Sequence, residues 1–511
     1  MKKLCISKLT FCIIYSVFTT IFYNLYTWKK LIQYVNIEQY MDFVFICKIF
    51  ISVNVLLILL LYIILQKKVT KFFAILFLIC GAFTSYFILT YGVVIDRFAI
   101  GNMISTDINE IMGLLSIRML MYMILLLILP IIFIIKIEIQ NIKFFHQLRA
   151  ISMLLIILTI IILPNYVQMA SFFRKNHILG GYFVPANYIS GSISYIKKKL
   201  RNNKKAIMIE DAKITKQDDV LVVLVIGETA RRANFSIYGY SKNTNPELAK
   251  QDIIAINNAT SCGTSTNVSV PCIFSPGGKD GLGGDVHENL ISVLSRMNIK
   301  LSWFENNFGG CYDICDKIEN KRFDGSPDGL MLQDFESKIN NIKHNSSEMI
   351  VLHQNGSHGP LYYQRYEKEY EIFNPACKRP DVAKCGTQEL INAYDNTIIY
   401  TDNFLSSIIN HLQQLKKPSI LIYASDHGES LGEYGLFLHG FPYILAPKEQ
   451  KEIPFIIWTS KSFKKKYNFH KSCINMKEKH SHDNIFHTIL GLFNIETKSY
   501  KKNLDILKDC G

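Results

Sequence analysis

The sequence lacks a Cys-x-x-Cys pair among its 12 cysteines, and it lacks a small-x-small cleavage motif after its first apolar stretch. The first absence argues against zinc held by thiolates at that spacing. The second favours retention of the first apolar stretch as a membrane helix over its removal as a signal peptide. Charged residues are scarce at 19%, against 49% hydrophobic residues, and the apolar excess lies in the first third of the chain. This distribution over 511 residues predicts a membrane part followed by a water-soluble part.

Five apolar segments each approach the about 20 residues that a helix needs to cross a bilayer. They cover residues 9–27, 43–66, 72–95, 119–137 and 150–169. Lys and Arg are more frequent on the N-terminal flank, between spans two and three, and between spans four and five than in the other loops. This bias favours a cytoplasmic N-terminus, so the chain after residue 170 is expected outside the cytoplasm.

We therefore expect a five-helix transmembrane domain at 1–169, a linker at 170–215 and a soluble domain at 216–511. The linker mixes aromatic side chains with basic ones, which is typical of an amphipathic segment on a membrane surface; an ordinary solvated linker is the alternative. The formal charge of +14 comes from basic residues that flank the apolar spans and from others scattered along the soluble part. We expect contact with the membrane and no nucleic-acid partner.

Eight of the cysteines lie in the soluble part, and six of these form closely spaced pairs. Outside the cytoplasm such pairs are typical of disulfides. The expected bonds are Cys262–Cys272, Cys311–Cys315 and Cys377–Cys385, and a bond between Cys473 and Cys510 is left open.

Three short apolar runs in the soluble part each lead into polar residues. They are Val220–Ile226 before Glu228, Met349–Leu352 before the segment that reaches His358, and Ser419–Ala424 before Asp426 and His427. Such runs are typical of buried parallel strands, and helical stretches such as 388–415 lie between them. This alternation predicts an α/β domain, in which ligands bind beyond the carboxyl ends of the strands. We expect the four polar residues to meet at that edge.

Carboxylates and imidazoles at one edge suit a divalent metal, and a tetrahedral nitrogen and oxygen set favours zinc; a turn-capping role is the alternative for Asp426. The segment 259–272 is rich in hydroxyl groups. A hydroxyl nucleophile needs its proton removed or its oxygen bound by a metal, and a helix beginning in this segment would favour a phosphate at its N-terminus. The residues alone leave five candidates open: Ser261, Thr264, Ser265, Thr266 and Ser269.

Several motifs in these segments are similar to those of a known family. They are Val225-Ile-Gly-Glu-Thr-Ala-Arg231, Ser261-Cys-Gly-Thr-Ser-Thr266, His358-Gly-Pro360, Ser425-Asp-His-Gly-Glu-Ser-Leu-Gly-Glu433 and Leu438-His-Gly440. Together with the five-span start, they resemble the lipid A phosphoethanolamine transferases. That family includes the mobile colistin-resistance enzymes and belongs to the alkaline phosphatase and sulfatase superfamily. The resemblance implies an alkaline-phosphatase/sulfatase-like fold for the soluble domain.

The resemblance also implies roles for the site residues. Thr266 is implied as the nucleophile, and a zinc ion (Zn²⁺) is implied at Glu228, Thr266, Asp426 and His427. His358 and His439 are implied to bind the phosphoryl group, and a second zinc ion is left open. Asn102, Thr106 and Glu110 repeat every four residues and so share one helix face. The resemblance implies that these three residues contact the donor headgroup.

The reaction implied by the resemblance moves phosphoethanolamine from phosphatidylethanolamine to lipid A or another envelope glycan or protein, through a phosphothreonine intermediate. The implied location is the bacterial inner membrane, with the catalytic domain in the periplasm, and we expect a monomer. Such a transfer is expected to lower both the negative charge of the cell surface and the susceptibility to polymyxin.

Other functions stay open as alternatives. A glycerol-phosphate transferase or a phosphatase would use the same kind of metal site. A sulfatase would need a nucleophile in a Cys-x-Pro-x-Arg setting, which the sequence lacks. A non-enzymatic envelope sensor would have no use for an intact nucleophile and ligand set. The loop from Trp303 to Cys315 departs from the family's pattern, so the resemblance does not identify the acceptor.

Overall fold

A computed structural model of the chain describes residues 4–35, 37, 39–64, 69–105, 114–140, 144–202, 206–282, 285–307, 309–323, 327–342, 346–379, 382–476 and 478–510. The chain divides into two compact units. The first comprises Met1–Ile100 and Leu115–Tyr195, and the second comprises Gly101–Leu114 and Ile196–Gly511. The expected membrane spans lie in the first unit, and the expected strands lie in the second.

Apolar helices build the first unit. The helices in this part of the chain are α1 (Lys8–Phe22), α2 (Leu25–Val35), α3 (Tyr40–Ile64), α4 (Thr70–Tyr91), α5 (Arg97–Ser105), α6 (Ile117–Met123), α7 (Leu129–Lys136), α8 (Phe144–Ile162), α9 (Tyr166–Lys175) and α10 (Ala186–Asn202). A π-helical turn at Ile124–Ile128 joins α6 to α7. Among the described residues, four segments are long and apolar enough to cross a membrane, and these are Tyr40–Ile64, Thr70–Tyr91, Ile117–Lys136 and Phe145–Ala170. They match the last four expected spans.

The first expected span, 9–27, differs because it is a bent pair of helices. α1 and α2 meet at 64°, and the pair makes a fifth span if it crosses the membrane as one. Asn24 lies at the bend, and its side-chain amide donates to the carbonyl oxygens of Thr19 (3.1 Å) and Val184 (3.0 Å). Its Oδ1 accepts from the Val184 amide over 2.8 Å. These bonds satisfy backbone groups at the break, so the chain bends there without leaving those groups unpaired.

A seven-stranded sheet forms the centre of the second unit. Its strands are β1 (Leu221–Gly227), β2 (Ile254–Ala255), β3 (Lys300–Glu305), β4 (Glu319–Arg322), β5 (Glu348–His353), β6 (Ser419–Ser425) and β7 (Phe455–Thr459). They lie in the order β2-β7-β6-β1-β5-β3-β4. The run from β6 to β4 is parallel, whereas β7 is antiparallel to both β6 and β2. The three expected strands are therefore the adjacent parallel strands β6, β1 and β5.

Burial explains why those three strands appear in the sequence as apolar runs. Every residue of β1, β5 and β6 is buried, because helices cover the sheet. The helices of this unit are α11 (Thr266–Ile273), α12 (Leu290–Arg296), α13 (Leu330–Asn340), α14 (Thr387–Gln413), α15 (Lys461–Lys466) and α16 (Asp483–Leu492). The expected helix at 388–415 is α14. Three short strand pairs lie outside the sheet, and they are Lys213–Ile214 with Ile495–Glu496, Ala259–Thr260 with His480–Ser481, and Ser430–Leu431 with Phe437–Leu438.

Four disulfides link the second unit. The three expected bonds are present, and the fourth pair, Cys473–Cys510, is also bonded. Two groups with metal-like spacing consist of a bonded cysteine pair and one aspartate, either Asp483 or Asp316. Because their sulfurs are already joined, these groups do not offer thiolate ligands.

Candidate metal and nucleophile site

Polar side chains from neighbouring strands meet at the carboxyl edge of the sheet. Glu228 follows β1 directly, and Asp426 and His427 follow β6 directly. The two strands pair in register from Leu221 and Ser419 to their last residues, so both chains leave the sheet at the same level. One ligand atom from each of the three side chains lies within 4.8 Å of the others, and all three side chains are buried. The strand-end prediction is confirmed for these residues.

The hydrogen bonds around this cluster leave three atoms available for a cation. Asp426 Oδ1 accepts from the amides of Thr229 (3.1 Å) and His427 (2.7 Å), which leaves Oδ2 without a hydrogen bond. Glu228 Oε1 is likewise buried and accepts no hydrogen bond from the described residues. The His427 Nδ1 lies 2.9 Å from the carbonyl oxygen of Gly428, so the proton of a neutral ring is on Nδ1. The unprotonated Nε2 then faces Asp426 Oδ2 (3.2 Å) and Glu228 Oε1 (3.5 Å).

The charges of Glu228, Asp426 and His427 also favour a bound cation. Burial raises the pKa of Glu228 well above its ordinary value, and the nearby Asp426 raises it further. Burial raises the pKa of Asp426 as well, against an opposing effect of His353, and burial lowers the pKa of His427. Two buried carboxylates beside a neutral imidazole have too little compensating charge. A divalent cation would supply it, and the nitrogen and oxygen donor set fits zinc.

Thr266 is the hydroxyl that reaches this cluster. It is the first residue of α11, and its Oγ1 lies 3.1 Å from Glu228 Oε2 and 3.4 Å from His427 Nε2. The other four candidate hydroxyls bond elsewhere, with Ser261 on Gly263 O, Thr264 on Phe441 O, Ser265 on Asn267 Oδ1 and Ser269 on the Gly263 amide. The geometry thus separates Thr266 from the alternatives that the residues alone left open. Its place at a helix N-terminus also favours a phosphate nearby.

Two more imidazoles extend the cluster in a row. The ring centroid of His439 lies 4.4 Å from that of His427 and 5.3 Å from that of His358. The His439 Nδ1 lies 3.1 Å from Oε2 of the buried Glu429, and Oε1 of the same carboxylate accepts from the Tyr362 hydroxyl over 3.0 Å. Burial lowers the pKa of His358 well below its ordinary value. Both histidines expected to bind a phosphoryl group therefore lie beside the cluster that Thr266 reaches.

Two contacts of the site, those of Asn307 and Glu429, were not predicted from the sequence. Asn307 Nδ2 donates to Glu228 Oε2 over 2.6 Å and to the carbonyl oxygen of Gln354 over 3.2 Å. Asn307 comes two residues after β3 (Lys300–Glu305), so its place beyond the end of a strand is the sequence signal for it. Glu429 lies inside a quoted motif, but the sequence carried no sign of its contact with His439.

The three residues expected to bind the donor headgroup are only partly described. Asn102 lies in α5 and groups with the second unit. Its Nδ2 is 3.8 Å from the position that a Cβ on Gly440, the neighbour of His439, would take. Thr106 and Glu110 lie outside the described residues.

Comparisons with known proteins agree with both units. A family model described as "Phosphoethanolamine transferase EptA/EptB" matches residues 53–200, and one described as "Sulfatase" matches residues 221–495. Phosphoethanolamine transferase EptA of Escherichia coli (strain K12) is 36% identical over 469 residues, which is 86% of this chain and 85% of the relative. Phosphatidylethanolamine transferase Mcr-1 of Escherichia coli is 35% identical over 438 residues, covering 77% and 79%.

Solved structures show the same fold. The integral membrane protein lipooligosaccharide phosphoethanolamine transferase A (EptA) from Neisseria meningitidis matches with a TM-score of 0.92 at 28% identity, covering 100% of this chain and 99% of that one. The C-terminal periplasmic domain of phosphoethanolamine transferase EptC from Campylobacter jejuni matches with a TM-score of 0.55 at 42% identity, covering 59% and 97%. The chain belongs to the phosphoethanolamine transferase family, whose enzymes join an apolar helical region to a sulfatase-like α/β domain.

Proposed function

We propose that this chain transfers phosphoethanolamine from phosphatidylethanolamine to lipid A or another cell-envelope acceptor, with Thr266 as the nucleophile and a phosphothreonine intermediate. The observation that carries the proposal is the position of Thr266 Oγ1, 3.1 Å from Glu228 Oε2 at the edge of the buried cluster of Glu228, Asp426 and His427. This arrangement gives the hydroxyl both a proton acceptor and a cation site.

In this proposal Glu228, Thr266, Asp426 and His427 hold a zinc ion. A zinc ion at this cluster would lower the pKa of the hydroxyl and offset negative charge on the phosphoryl oxygens. The Oε1 of Glu228 and the Oδ2 of Asp426 support this assignment, because burial without a hydrogen bond leaves a carboxylate oxygen poorly stabilised. A second ion beside His358 and His439 would show as a second equivalent in metal analysis.

The first step forms a bond between Thr266 Oγ1 and the donor phosphorus and breaks the bond to the diacylglycerol oxygen, which takes a proton from water and leaves as diacylglycerol. Glu228 Oε2 is the carboxylate oxygen that accepts the hydrogen bond of the hydroxyl, and it takes the proton. His358 and His439 lie beside the cluster, where they bind the phosphoryl oxygens as charge builds on them. In the second step an acceptor oxygen attacks the phosphothreonine, and the threonine oxygen leaves and takes back the proton that Glu228 holds.

The relatives and the membrane part support the proposed donor and acceptor. One relative, the Kdo(2)-lipid A phosphoethanolamine 7''-transferase of Escherichia coli (strain K12), is 30% identical over 61% of this chain. Asn102, Thr106 and Glu110 are proposed to contact the donor headgroup. Residues 1–169 are proposed to span the bacterial inner membrane, and residues 170–215 to link this part to a catalytic domain at residues 216–511 in the periplasm. The chain is proposed to act as a monomer. The added ethanolamine would offset phosphate charge and lower polymyxin binding.

Mass spectrometry of lipid A tests the proposal. Cells that carry the gene should show lipid A with one added phosphoethanolamine, and cells without it should lack that increment. The Thr266→Ala variant should abolish the increment while the protein still folds, whereas Thr215→Ala, at an exposed threonine of the same unit, should retain it. An unchanged lipid A increment with a folded Thr266→Ala protein would refute the nucleophile.

A further inference from the structure

Two exposed apolar side chains lie on either side of His439 in the chain. Tyr434 is 86% exposed and Ile444 is 87% exposed, and Leu445 beside it is 39% exposed. Tyr434 lies in the turn between the short strands Ser430–Leu431 and Phe437–Leu438, and Ile444 lies in the loop after His439. Apolar groups at the rim of a site gain free energy when a partner or a membrane removes them from water.

The loop that carries Ile444 is joined to the nucleophile segment. The Gly440 amide donates to the carbonyl oxygen of Thr264 over 2.7 Å, and Thr264 Oγ1 donates to the carbonyl oxygen of Phe441 over 2.6 Å. Thr264 is two residues before Thr266. Ile444 is three residues beyond Phe441, and three residues span at most about 11 Å. The exposed tip therefore lies on a loop that is hydrogen-bonded to the segment that carries Thr266.

Two lysines flank the aromatic ring next to this tip. Lys279 Nζ lies 3.4 Å from the ring centroid of Tyr443, and Lys451 Nζ lies 5.6 Å from it. Neither lysine belongs to an ion pair among the described residues, whereas the adjacent Glu452 pairs with Arg232 at 3.9 Å. The two ammonium groups thus remain available to an anionic partner.

The side chains around this tip are of the kinds found at a membrane surface. Ile444 is an exposed aliphatic residue, the adjacent Tyr443 carries a ring with a hydroxyl, and two lysines lie against that ring. In a bilayer, acyl chains are succeeded by the headgroup region, where Tyr is enriched, and by phosphates that attract Lys. The charge of the two lysines is complementary to that of lipid phosphates.

We propose that the loop Phe441–Pro447 contacts the bilayer surface, with Ile444 entering the acyl boundary and with Lys279 and Lys451 binding lipid phosphates. This inference rests on the proposed function in one respect, because a lipid donor is what brings the site to a bilayer. The contact would hold the mouth of the site at the depth of the headgroup phosphates, which is where the phosphorus to be attacked lies.

A spin label measures this contact without any need for turnover. The full chain, with the free cysteines Cys5, Cys12, Cys47 and Cys80 replaced, would carry a nitroxide at Ile444→Cys in nanodiscs of phosphatidylethanolamine and phosphatidylglycerol. The control is Gln414→Cys, an exposed site at the end of α14 and just before β6, and so at the opposite edge of the sheet. Oxygen, which concentrates in acyl chains, and a water-soluble nickel chelate would be compared as relaxants.

The label at Ile444 should relax more with oxygen than with nickel, and the label at Gln414 should show the reverse. A label at Ile444 that favours nickel, as at Gln414, would overturn the proposal. So would a label shielded from both relaxants in detergent as well as in nanodiscs, because that result would mean a second copy or another protein covers the loop.

Kinetics with two donors separate this contact from the chemistry. The Ile444→Asp variant should raise the apparent KM for phosphatidylethanolamine in vesicles about tenfold or more, since the tip could no longer enter the acyl boundary. It should leave turnover of a short-chain, water-soluble donor unchanged, and Gln414→Asp should change neither. The Lys279→Gln/Lys451→Gln variant should lose the dependence on anionic lipid. Equal losses with both donors would overturn the membrane contact, whereas inactivity of the unmodified enzyme on both donors would refute the proposed function.

Discussion

Replacement of Asn307 by alanine removes an amide that donates to Glu228 Oε2 over 2.6 Å in a fully buried setting. A hydrogen bond to a charged group contributes about 1.5–3 kcal/mol, and loss of such a bond behind a metal ligand weakens metal binding about 10- to 100-fold. The backbone amide of Asn307 still donates to Glu305 Oε1 over 2.8 Å, so the loop keeps its main anchor. We therefore expect Asn307→Ala to fold and to bind zinc about 10- to 100-fold more weakly.

Competition with a chromophoric chelator measures that affinity on the purified protein, and the transfer rate at saturating zinc gives a second readout. The matched control is Asn341→Ala, at an exposed asparagine whose side-chain amide donates to the carbonyl oxygen of Ser337. The control should keep the affinity of the unmodified chain. Zinc affinity within about twofold of the unmodified chain in Asn307→Ala would refute the idea that Asn307 positions Glu228 for a metal.

Three further outcomes follow from the same contacts. A Cβ on Gly356, which has φ +53°, would lie 2.7 Å from the Glu228 carbonyl oxygen, so Gly356→Ala should displace Glu228 and lower the bound zinc seen by metal analysis; full zinc content would contradict this. Burial lowers the pKa of His482 from 6.5 to about 4, so the unfolded chain takes up a proton before the folded protein does. The free energy of unfolding should therefore be unaffected above pH 6.5 and should fall by about 3 kcal/mol as the pH falls towards 4. With the metal removed by a chelator, the midpoint of thermal unfolding should fall between pH 6.5 and pH 4, and it should fall less in the His482→Gln variant. The same fall of the midpoint with pH in both proteins would contradict the effect of His482. Zinc at about 100 times its Kd should stabilise the protein by about 2.7 kcal/mol over the chelated form, and an unchanged midpoint would argue against a metal at this cluster.

The three parallel strands β1, β5 and β6 could be predicted from the sequence because they are buried on both faces. β1, β5 and β6 contain only buried residues, so they appear as uninterrupted apolar runs. The bend between α1 and α2 could not, because it depends on hydrogen bonds between Asn24 and Val184, which are 160 residues apart. Hydropathy measures how long an apolar segment is, and it does not predict hydrogen bonds between residues far apart in the sequence.

Some residues of the candidate site could likewise be predicted from the sequence, and others could not. Glu228, Asp426 and His427 follow strand ends directly, so sheet topology alone brings them together. Thr266 lies in a loop, and its position depends on where α11 begins, which the residues alone left open among five hydroxyls. The contact between Glu429 and His439 depends on a turn ten residues long, for which the sequence held no periodic signal.

Mass spectrometry of the peptide that contains Thr266 shows whether this threonine carries the transferred group. The purified enzyme would be mixed with phosphatidylethanolamine and zinc without an acceptor, quenched in acid and digested. If Thr266 is the nucleophile, the peptide should carry one phosphoethanolamine group on Thr266. This group should disappear when lipid A is added before the quench. A phosphoethanolamine group on another hydroxyl such as Thr264, or an unmodified peptide from an enzyme that releases diacylglycerol in the same mixture, would contradict the assignment of Thr266 as the nucleophile.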